Sequence, residues 1–310
     1  MMNKFISIAC VAIIGIAQAG ISNDDVVNAL KNQQSSELER AWAVVMRNGE
    51  LLATANVGCK DWKPTASEFV YECGSVIKPF TAAIAINEGV ISGLDAEYST
   101  TKEDAKYYKL PSDGCHVWAN KISVADALVK SSNIVFGKLS ADIGADKLYS
   151  GLSAFGFGSG RGILPKPEKW NKVMQSRIGI GQGMTATPVQ IAKAYSILAN
   201  HGRTFGTDAK QVVKTEIADA VCKELKRVCT NEGTASKAVI DGVTVAGKTG
   251  TAQRIVDGRY ADGCYNATFV GIVNDYVIVV VIECAKGSRH QGGDRPVLAF
   301  KEIAQKLINK

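Results

Sequence analysis

Six consecutive valines and isoleucines, at residues 277–282, restrict the possible folds of this chain more than any other segment. A strand that is apolar on both faces is expected at the centre of a sheet that is covered on both sides. Further strand-like segments occur late in the chain, at residues 243–246 and 268–273, and early, at residues 41–46 and 51–57 around an Asn48-Gly49 turn. The pattern therefore predicts an antiparallel sheet built from both ends of the chain.

Between the early and late strands, from about residue 80 to about residue 235, the pattern is mainly helical. Thr187, Pro188 and Gln190 mark one clear helix start, with a cap, a first-turn proline and a capping box. Other helices are expected at residues 22–33, 80–87, 124–129, 133–143, 218–229 and 299–307. We therefore predict an α/β fold of the α+β type, with helices flanking the sheet.

The expected organisation is one domain over residues 20–310. Its sheet subdomain would comprise about residues 20–80 and 235–310, and a mainly helical subdomain would be inserted at about residues 81–234. Since the two ends of the chain share one sheet, they must fold together.

The first 19 residues have the pattern of a secretory signal peptide. Lys4 precedes an apolar run at residues 5–16, and Ala17-Gln18-Ala19 follows as a small-x-small cleavage site. An uncleaved membrane anchor is the alternative, although the run is shorter than the about 20 residues that a span needs. We expect an exported protein of the periplasm or extracytoplasmic cell envelope, with no integral membrane domain after cleavage.

Charge and composition argue against two classes of function. The net charge of +6 is modest and the basic residues form no stripe, so a nucleic-acid partner is not expected. The chain has no Cys-x-x-Cys pair, and its three histidines, His116, His201 and His290, are scattered. We therefore expect no metal and no other cofactor.

Three short motifs suggest a specific chemistry, and the first is Ser75-Val76-Ile77-Lys78. On a helix, this spacing would place Ser75 and Lys78 on one face. A serine hydroxyl needs a base to become a good nucleophile, and a lysine can be that base if burial or a nearby positive charge lowers its pKa. A surface helix is the alternative, because the spacing is common by chance.

The second motif, Ser131-Ser132-Asn133, precedes another expected helix. A helix cap is one interpretation of these residues. In the catalytic interpretation, the Ser131 hydroxyl would lie between Lys78 and Lys248 and relay a proton. Asn133 would then donate a hydrogen bond to an amide carbonyl of the substrate.

The third motif, Lys248-Thr249-Gly250-Thr251, follows one of the late strands. The glycine would let a substrate backbone add itself to the strand edge, and the lysine and threonines suit a carboxylate. The backbone N–H groups of Thr251 and Ser75 would form an oxyanion hole. A turn near the strand end is the alternative interpretation.

The sequence leaves the pairing of the cysteines open. Signal cleavage would leave seven of the eight cysteines in an oxidising compartment, so at least one stays free or pairs between chains. Cys222 and Cys229 would lie about 10 Å apart in an intact helix, too far for a disulfide. Cys73, two residues before Ser75, either forms a bridge, with Cys59 as one candidate partner, or carries a free thiol.

In this order, the three motifs resemble those of the penicillin-binding proteins and serine β-lactamases. The longer stretches around them narrow the resemblance: CGSVIKPF, LVKSSNIVF, GIGQGMTATPVQIAKAYSILANHG, VAGKTGTAQ, NATFVGIV and GGDRPVLAFKEIA. Over about residues 38–308, the chain is similar to the transpeptidase domain of class B penicillin-binding proteins, the cell-division and elongation type.

This resemblance implies a serine D,D-transpeptidase or D,D-carboxypeptidase that acts on D-Ala-D-Ala stem peptides of peptidoglycan. Its acyl-enzyme would form on Ser75, and β-lactam antibiotics would be covalent inhibitors or substrates. The residues that the resemblance assigns to catalysis are Ser75, Lys78, Ser131, Asn133 and Lys248, and those it assigns to substrate binding are Thr249, Gly250 and Thr251.

Departures from the family pattern leave alternatives open. Class B proteins carry a membrane anchor and a large module before this domain, whereas a bare catalytic domain is expected here, with about 20 residues between the cleavage site and the first strand. A serine β-lactamase is the first alternative. The segment from Glu168 to Asn171 is the only candidate for the deacylating motif of class A enzymes, and its spacing is one residue shorter than that motif. Class D enzymes usually have an aliphatic residue in place of Asn133. A β-lactam sensor or decoy without turnover is the second alternative.

Overall fold

The computed structural model describes residues 20–34, 40–58, 64–111, 121–284 and 291–309. The expected signal peptide, Cys59 and Cys115 lie outside these residues. The helices are α1 (Asn23–Asn32), α2 (Lys78–Asn87), α3 (Lys102–Tyr108), α4 (Val124–Lys130), α5 (Asn133–Ile143), α6 (Ala145–Ala154), α7 (Lys172–Ile178), α8 (Pro188–Ala199), α9 (Thr215–Val228) and α10 (Arg295–Ile308). The strands are β1 (Arg40–Arg47), β2 (Glu50–Val57), β3 (Tyr71–Glu72), β4 (Glu97–Tyr98), β5 (Ile122–Ser123), β6 (Thr185–Ala186), β7 (Val245–Val256), β8 (Arg259–Val273) and β9 (Tyr276–Cys284).

The main sheet has five strands in the order β2-β1-β9-β8-β7, and all neighbours are antiparallel. The apolar strand β9 is central, and its residues 277–282 are buried. Its partner β1 comes from the other end of the chain, with Arg40 paired to Glu283 and Arg47 to Tyr276. The predicted fold class, an antiparallel sheet built from both chain ends and flanked by helices, is confirmed.

Both faces of the sheet are covered by other parts of the chain, as the side chains that alternate along β8 illustrate. Phe269 meets Phe300 of α10 with ring centroids 4.9 Å apart. The neighbouring Thr268 points to the other face and donates a hydrogen bond to the Tyr71 hydroxyl. Helices α8 and α9 pack on the sheet next to α2. In the described ranges, no helix combines the length and apolarity needed to cross a bilayer.

The largest difference from the sequence-based expectation is the length of β7 and β8. The expected strands at residues 243–246 and 268–273 are the buried inner parts of a hairpin that reaches Val256 and Arg259. Its outer part is mostly exposed and polar, so backbone pairing rather than apolar burial defines it. Helices α9 and α10 also begin earlier than expected, at Thr215 and Arg295.

Candidate active site

The Ser75 motif lies on a 3₁₀ turn at Gly74–Ile77, not on the α-helix that we expected, and α2 begins at Lys78. In 3₁₀ geometry, side chains three residues apart eclipse one another, so Ser75 and Lys78 face the same side. The Lys78 amide donates to the Ser75 carbonyl and closes the turn. The Lys78 side chain is fully buried, whereas Ser75 is partly accessible.

Two glycines hold this turn in place. Gly74 has a φ of +59° and donates its N–H to the Gly181 carbonyl at 3.0 Å. A Cβ on Gly181 would lie only 2.1 Å from the Gly74 carbonyl oxygen. The backbone before Ser75 therefore packs directly against the turn at residues 181–183, and side chains at these two positions would force them apart.

Lys78 contacts the second motif. Its Nζ donates to the Ser131 carbonyl at 2.6 Å, to Asn133 Oδ1 at 2.9 Å and to Ser131 Oγ at 3.3 Å. Ser131 lies between α4 and α5 with a φ of +62°, the left-handed region. The capping role belongs to Ser132, whose hydroxyl accepts from the Val135 amide at 3.2 Å. The Ser131 hydroxyl thus points at the lysines.

Lys248 reaches the same hydroxyl from the sheet. It is fully buried and donates to Ser131 Oγ at 2.8 Å and to the Thr249 carbonyl at 3.2 Å. Burial, with the positive charge of Lys78, lowers the pKa of Lys248 well below its usual 10.5. Two amines and one hydroxyl from three distant segments therefore form a continuous hydrogen-bonded chain.

The third motif lies within β7, an edge strand of the sheet, and not after a strand end. Gly250 packs against the Ser75 turn (Gly74–Ile77), since a Cβ there would lie 2.9 Å from Val76 Cγ1 and 3.2 Å from the Cys73 carbonyl oxygen. Thr249 is nearly buried and Thr251 is exposed. All eight predicted site residues therefore lie on three segments that meet at the start of α2.

Sequence reasoning missed several residues that border this site. Thr234 Oγ1 lies 2.6 Å from Thr249 Oγ1, and the Gly292 amide donates to Thr251 Oγ1 at 3.2 Å. Glu72 is a buried carboxylate three residues before Ser75. The only available signal was the unusual charge of Glu72 in an apolar stretch, because Thr234 and Gly292 are recognisable only from their contacts.

Cys73 carries a free thiol buried beside the Ser75 turn. Of its two predicted states, the structure has the unbridged one, while Cys59 lies outside the described residues. Burial raises the pKa of the Cys73 thiol far above its usual value, which disfavours the reactive thiolate form. Cys222 and Cys229 are also free.

A comparison with known families finds a match over most of the chain. Residues 41–305 match the family model described as "Penicillin binding protein transpeptidase domain". Among curated proteins, the chain is similar to the "Probable peptidoglycan D,D-transpeptidase PenA" of Neisseria gonorrhoeae, with 30% identity over 296 residues, 85% of this chain and 50% of that protein. The chain therefore spans about half the length of the curated relatives it matches.

Solved structures show the same fold. The transpeptidase domain of penicillin-binding protein 3 from Burkholderia pseudomallei superposes with a TM-score of 0.81 at 22% identity, covering 94% of this chain and 96% of that one. Penicillin-binding protein 3 from Mycobacterium tuberculosis, complexed with aztreonam, has a TM-score of 0.75 at 25% identity, covering 93% and 75% of the two chains.

Proposed function

Since the chain belongs to the penicillin-binding protein transpeptidase domain family, we propose that it is an active-site serine D,D-transpeptidase or D,D-carboxypeptidase. Its substrates would be peptidoglycan stem peptides that end in D-Ala-D-Ala. The relatives are named as peptidoglycan D,D-transpeptidases, which supports acyl transfer as the reaction class. Hydrolysis by water at the same site remains part of the proposal.

One observation carries the proposal: the hydrogen-bonded chain from Lys78 through Ser131 to Lys248. Burial and a neighbouring amine both disfavour the charged form of a lysine side chain. A lysine in such a setting is more readily neutral, and only the neutral amine can accept a proton. A surface helix with an incidental serine and lysine would not bury both amines around one hydroxyl.

In the proposed acylation, Ser75 Oγ attacks the carbonyl carbon between the two D-alanines while Lys78 takes its proton. The new bond joins Oγ to the acyl carbon, and the C–N bond to the terminal D-alanine breaks. The leaving amine takes a proton from the Ser131 hydroxyl, which is replenished along the lysine chain. An acceptor amine or water then releases the acyl group by the reverse sequence.

Substrate binding would use β7. An extended peptide can pair with the open edge of this strand. Gly250 lets the strand lie close to the Ser75 turn, because a Cβ there would meet Val76. Its terminal carboxylate would lie near Thr249, Thr251 and Lys248, and Asn133 would donate its side-chain amide to the peptide. The N–H groups of Ser75 and Thr251 would bind the oxyanion.

The β-lactamase alternative needs a base that activates water for deacylation. Glu168, the one candidate from the sequence, is exposed on a short 3₁₀ helix at Pro167–Lys169. An exposed carboxylate is surrounded by water and is not positioned as a base beside an acyl-enzyme, so the structure does not favour this role. β-Lactams are therefore proposed as covalent inhibitors that leave slowly, and the aztreonam complex of one structural neighbour agrees with this chemistry.

Export to the cell envelope is part of the same proposal, because peptidoglycan lies outside the cytoplasm. The signal peptide at residues 1–19 and the division of residues 20–310 into sheet and helical subdomains stay predictions. Sequencing the N-terminus of the secreted protein would test the cleavage after Ala19.

The test of function is intact-mass analysis of residues 20–310 mixed with benzylpenicillin, followed from minutes to hours. We expect a lasting adduct of one penicillin in the wild type and none in Ser75→Ala. Ser67→Ala, at an exposed serine in the turn before β3, is the matched control and should be acylated normally.

Other outcomes separate the alternatives. A short-lived adduct with accumulating hydrolysed drug would replace the proposal by a β-lactamase. An adduct without any turnover of a D-Ala-D-Ala pentapeptide, with or without an acceptor amine, would replace it by a sensor or decoy. An adduct on Ser75→Ala would exclude Ser75 as the nucleophile.

A further inference from the structure

Glu72 is a buried carboxylate that the proposed reaction does not use. It is only 6% exposed, and burial raises its pKa above the usual value despite its hydrogen bonds. Its Oε1 accepts the Gly183 N–H at 2.8 Å, and the Tyr260 hydroxyl lies 3.1 Å from both carboxylate oxygens. Burying a carboxylate costs folding free energy unless hydrogen-bond donors compensate it. A buried carboxylate next to the Ser75 turn therefore suggests a functional role.

The contacts of Glu72 join three walls of the site. Glu72 itself lies on β3, just before the Ser75 turn, and pairs with Thr185 of β6. Gly183 belongs to the turn that packs against Gly74. Tyr260 lies near the start of β8, opposite Ile255 of β7.

The contact with Tyr260 lies where the hairpin has little other support. The pairing of β7 with β8 shifts register between Gln253 and Ile255. Beyond this shift, Ile255, Val256 and Tyr260 are 43–49% exposed. At the shift, Arg254 of β7 forms an ion pair with the buried Glu283 of β9 at 2.7 Å, which ties the hairpin to its own sheet. The hydrogen bond from Tyr260 to the buried carboxylate of Glu72 instead ties the outer hairpin to the segment that leads to Ser75, and bonds to a carboxylate are stronger than neutral ones.

We propose that Tyr260 and Glu72 form a positioning pair that holds the outer β7–β8 hairpin beside Ser75 and so sets the width of the groove that receives the acyl donor. The pair acts through the hairpin and does not touch the reacting atoms. Because the groove is the one along β7, this inference rests on the proposed function. Tyr260 and Glu72 would thus affect how the acyl donor binds, although neither residue belongs to the three motifs.

The first test is the Tyr260→Phe variant, which removes one hydroxyl and keeps the ring. Its second-order rate of acylation by benzylpenicillin should fall about tenfold, the fold-change that corresponds to losing a hydrogen bond of about 1.4 kcal/mol. Tyr276→Phe removes a hydroxyl at the opposite end of the sheet and should be acylated at the wild-type rate.

A second measurement separates positioning from a general loss of stability. Trypsin should cut after the exposed Arg259 about tenfold faster in Tyr260→Phe, because the outer hairpin leaves the nucleophile segment more often. The Tm should stay within about 2 °C of the wild type. Glu72→Gln combined with Tyr260→Phe should be no slower in acylation than the slower single variant, because both changes act on the same contact.

The outcomes distinguish the two proposals. If the wild type forms no adduct, the proposed function fails and the positioning role fails with it. If the wild type and Tyr260→Phe are acylated and cleaved at equal rates, the positioning role alone is wrong. Independent, multiplying effects of the two substitutions would also overturn the pair.

Discussion

At the scale of single residues, Lys248 shows that the site is built at the expense of stability. Its buried amine has a pKa held well below 10.5, so the folded chain binds fewer protons than the unfolded chain. Stability is therefore lost as the pH falls from 10.5 through the lower pKa of the folded state. We predict that Lys248→Met removes this cost and raises the Tm at pH 7 by about 2 °C or more, while acylation of Ser75 is lost.

Calorimetry between about pH 6 and pH 10 checks this prediction. The Tm advantage of Lys248→Met over the wild type should be smallest at high pH and should grow as the pH falls. Lys223→Met, at an exposed lysine of α9, is the control and should show a small, constant difference. A Lys248→Met variant that melts below the wild type at pH 7 would contradict the account.

The residues that sequence analysis found are those whose type and spacing suffice to suggest chemistry. Ser75, Lys78 and Lys248 belong to this group, and the structure brings them together around Ser131. Their neighbours depend on the fold instead. Thr234 reaches Thr249 across 15 residues, and Tyr260 reaches Glu72 across 188 residues. No local pattern encodes such contacts, so only the assembled structure reveals them.

At the scale of elements, capping and burial explain which segments were predicted well. Helix α8 begins at Pro188 as expected, because Thr187 and Gln190 form the capping box that the sequence suggested. The hairpin of β7 and β8 was predicted too short, because its outer half buries little apolar surface. An apolar pattern predicts elements that face a core, and it fails for strands that bury little apolar surface.

The close approach of β7 to the Ser75 turn leads to an element-scale prediction. In Gly250→Ala, the added Cβ would lie 2.9 Å from Val76 Cγ1, so the strand and the turn must move apart. We predict a loss of about 1–3 kcal/mol in unfolding free energy and at least a tenfold slower acylation. Denaturant melts and the acylation rate measure the two effects.

Gly89→Ala is the control for this prediction. Gly89 has a φ of +70°, but no atom lies within 4 Å of an added Cβ. This variant should therefore lose stability through backbone strain and still be acylated at the wild-type rate. Equal acylation of Gly250→Ala and the wild type would show that the packing of β7 on the turn does not govern the reaction.

At the scale of the whole molecule, the site exists only because the two chain ends share one sheet. Strand β1 lies between β2 and β9, and its residues 41–46 are all buried. Helix α8 packs on β1 and β9 together. Without β9, the apolar face of α8 and the free backbone groups of β1 would be exposed to water. Helix α8 therefore depends on a strand that comes after it in the sequence.

We predict that residues 20–234, produced alone, will not unfold cooperatively, whereas residues 20–310 will show a single transition. Far-UV circular dichroism during heating measures the difference. Residues 235–310, supplied as a second chain, should restore the transition and the acylation of Ser75, because the missing contacts are non-covalent. A cooperative melt of residues 20–234 alone would mean that the helical part holds its fold independently, and that the sheet only adds Lys248 to a preformed half-site.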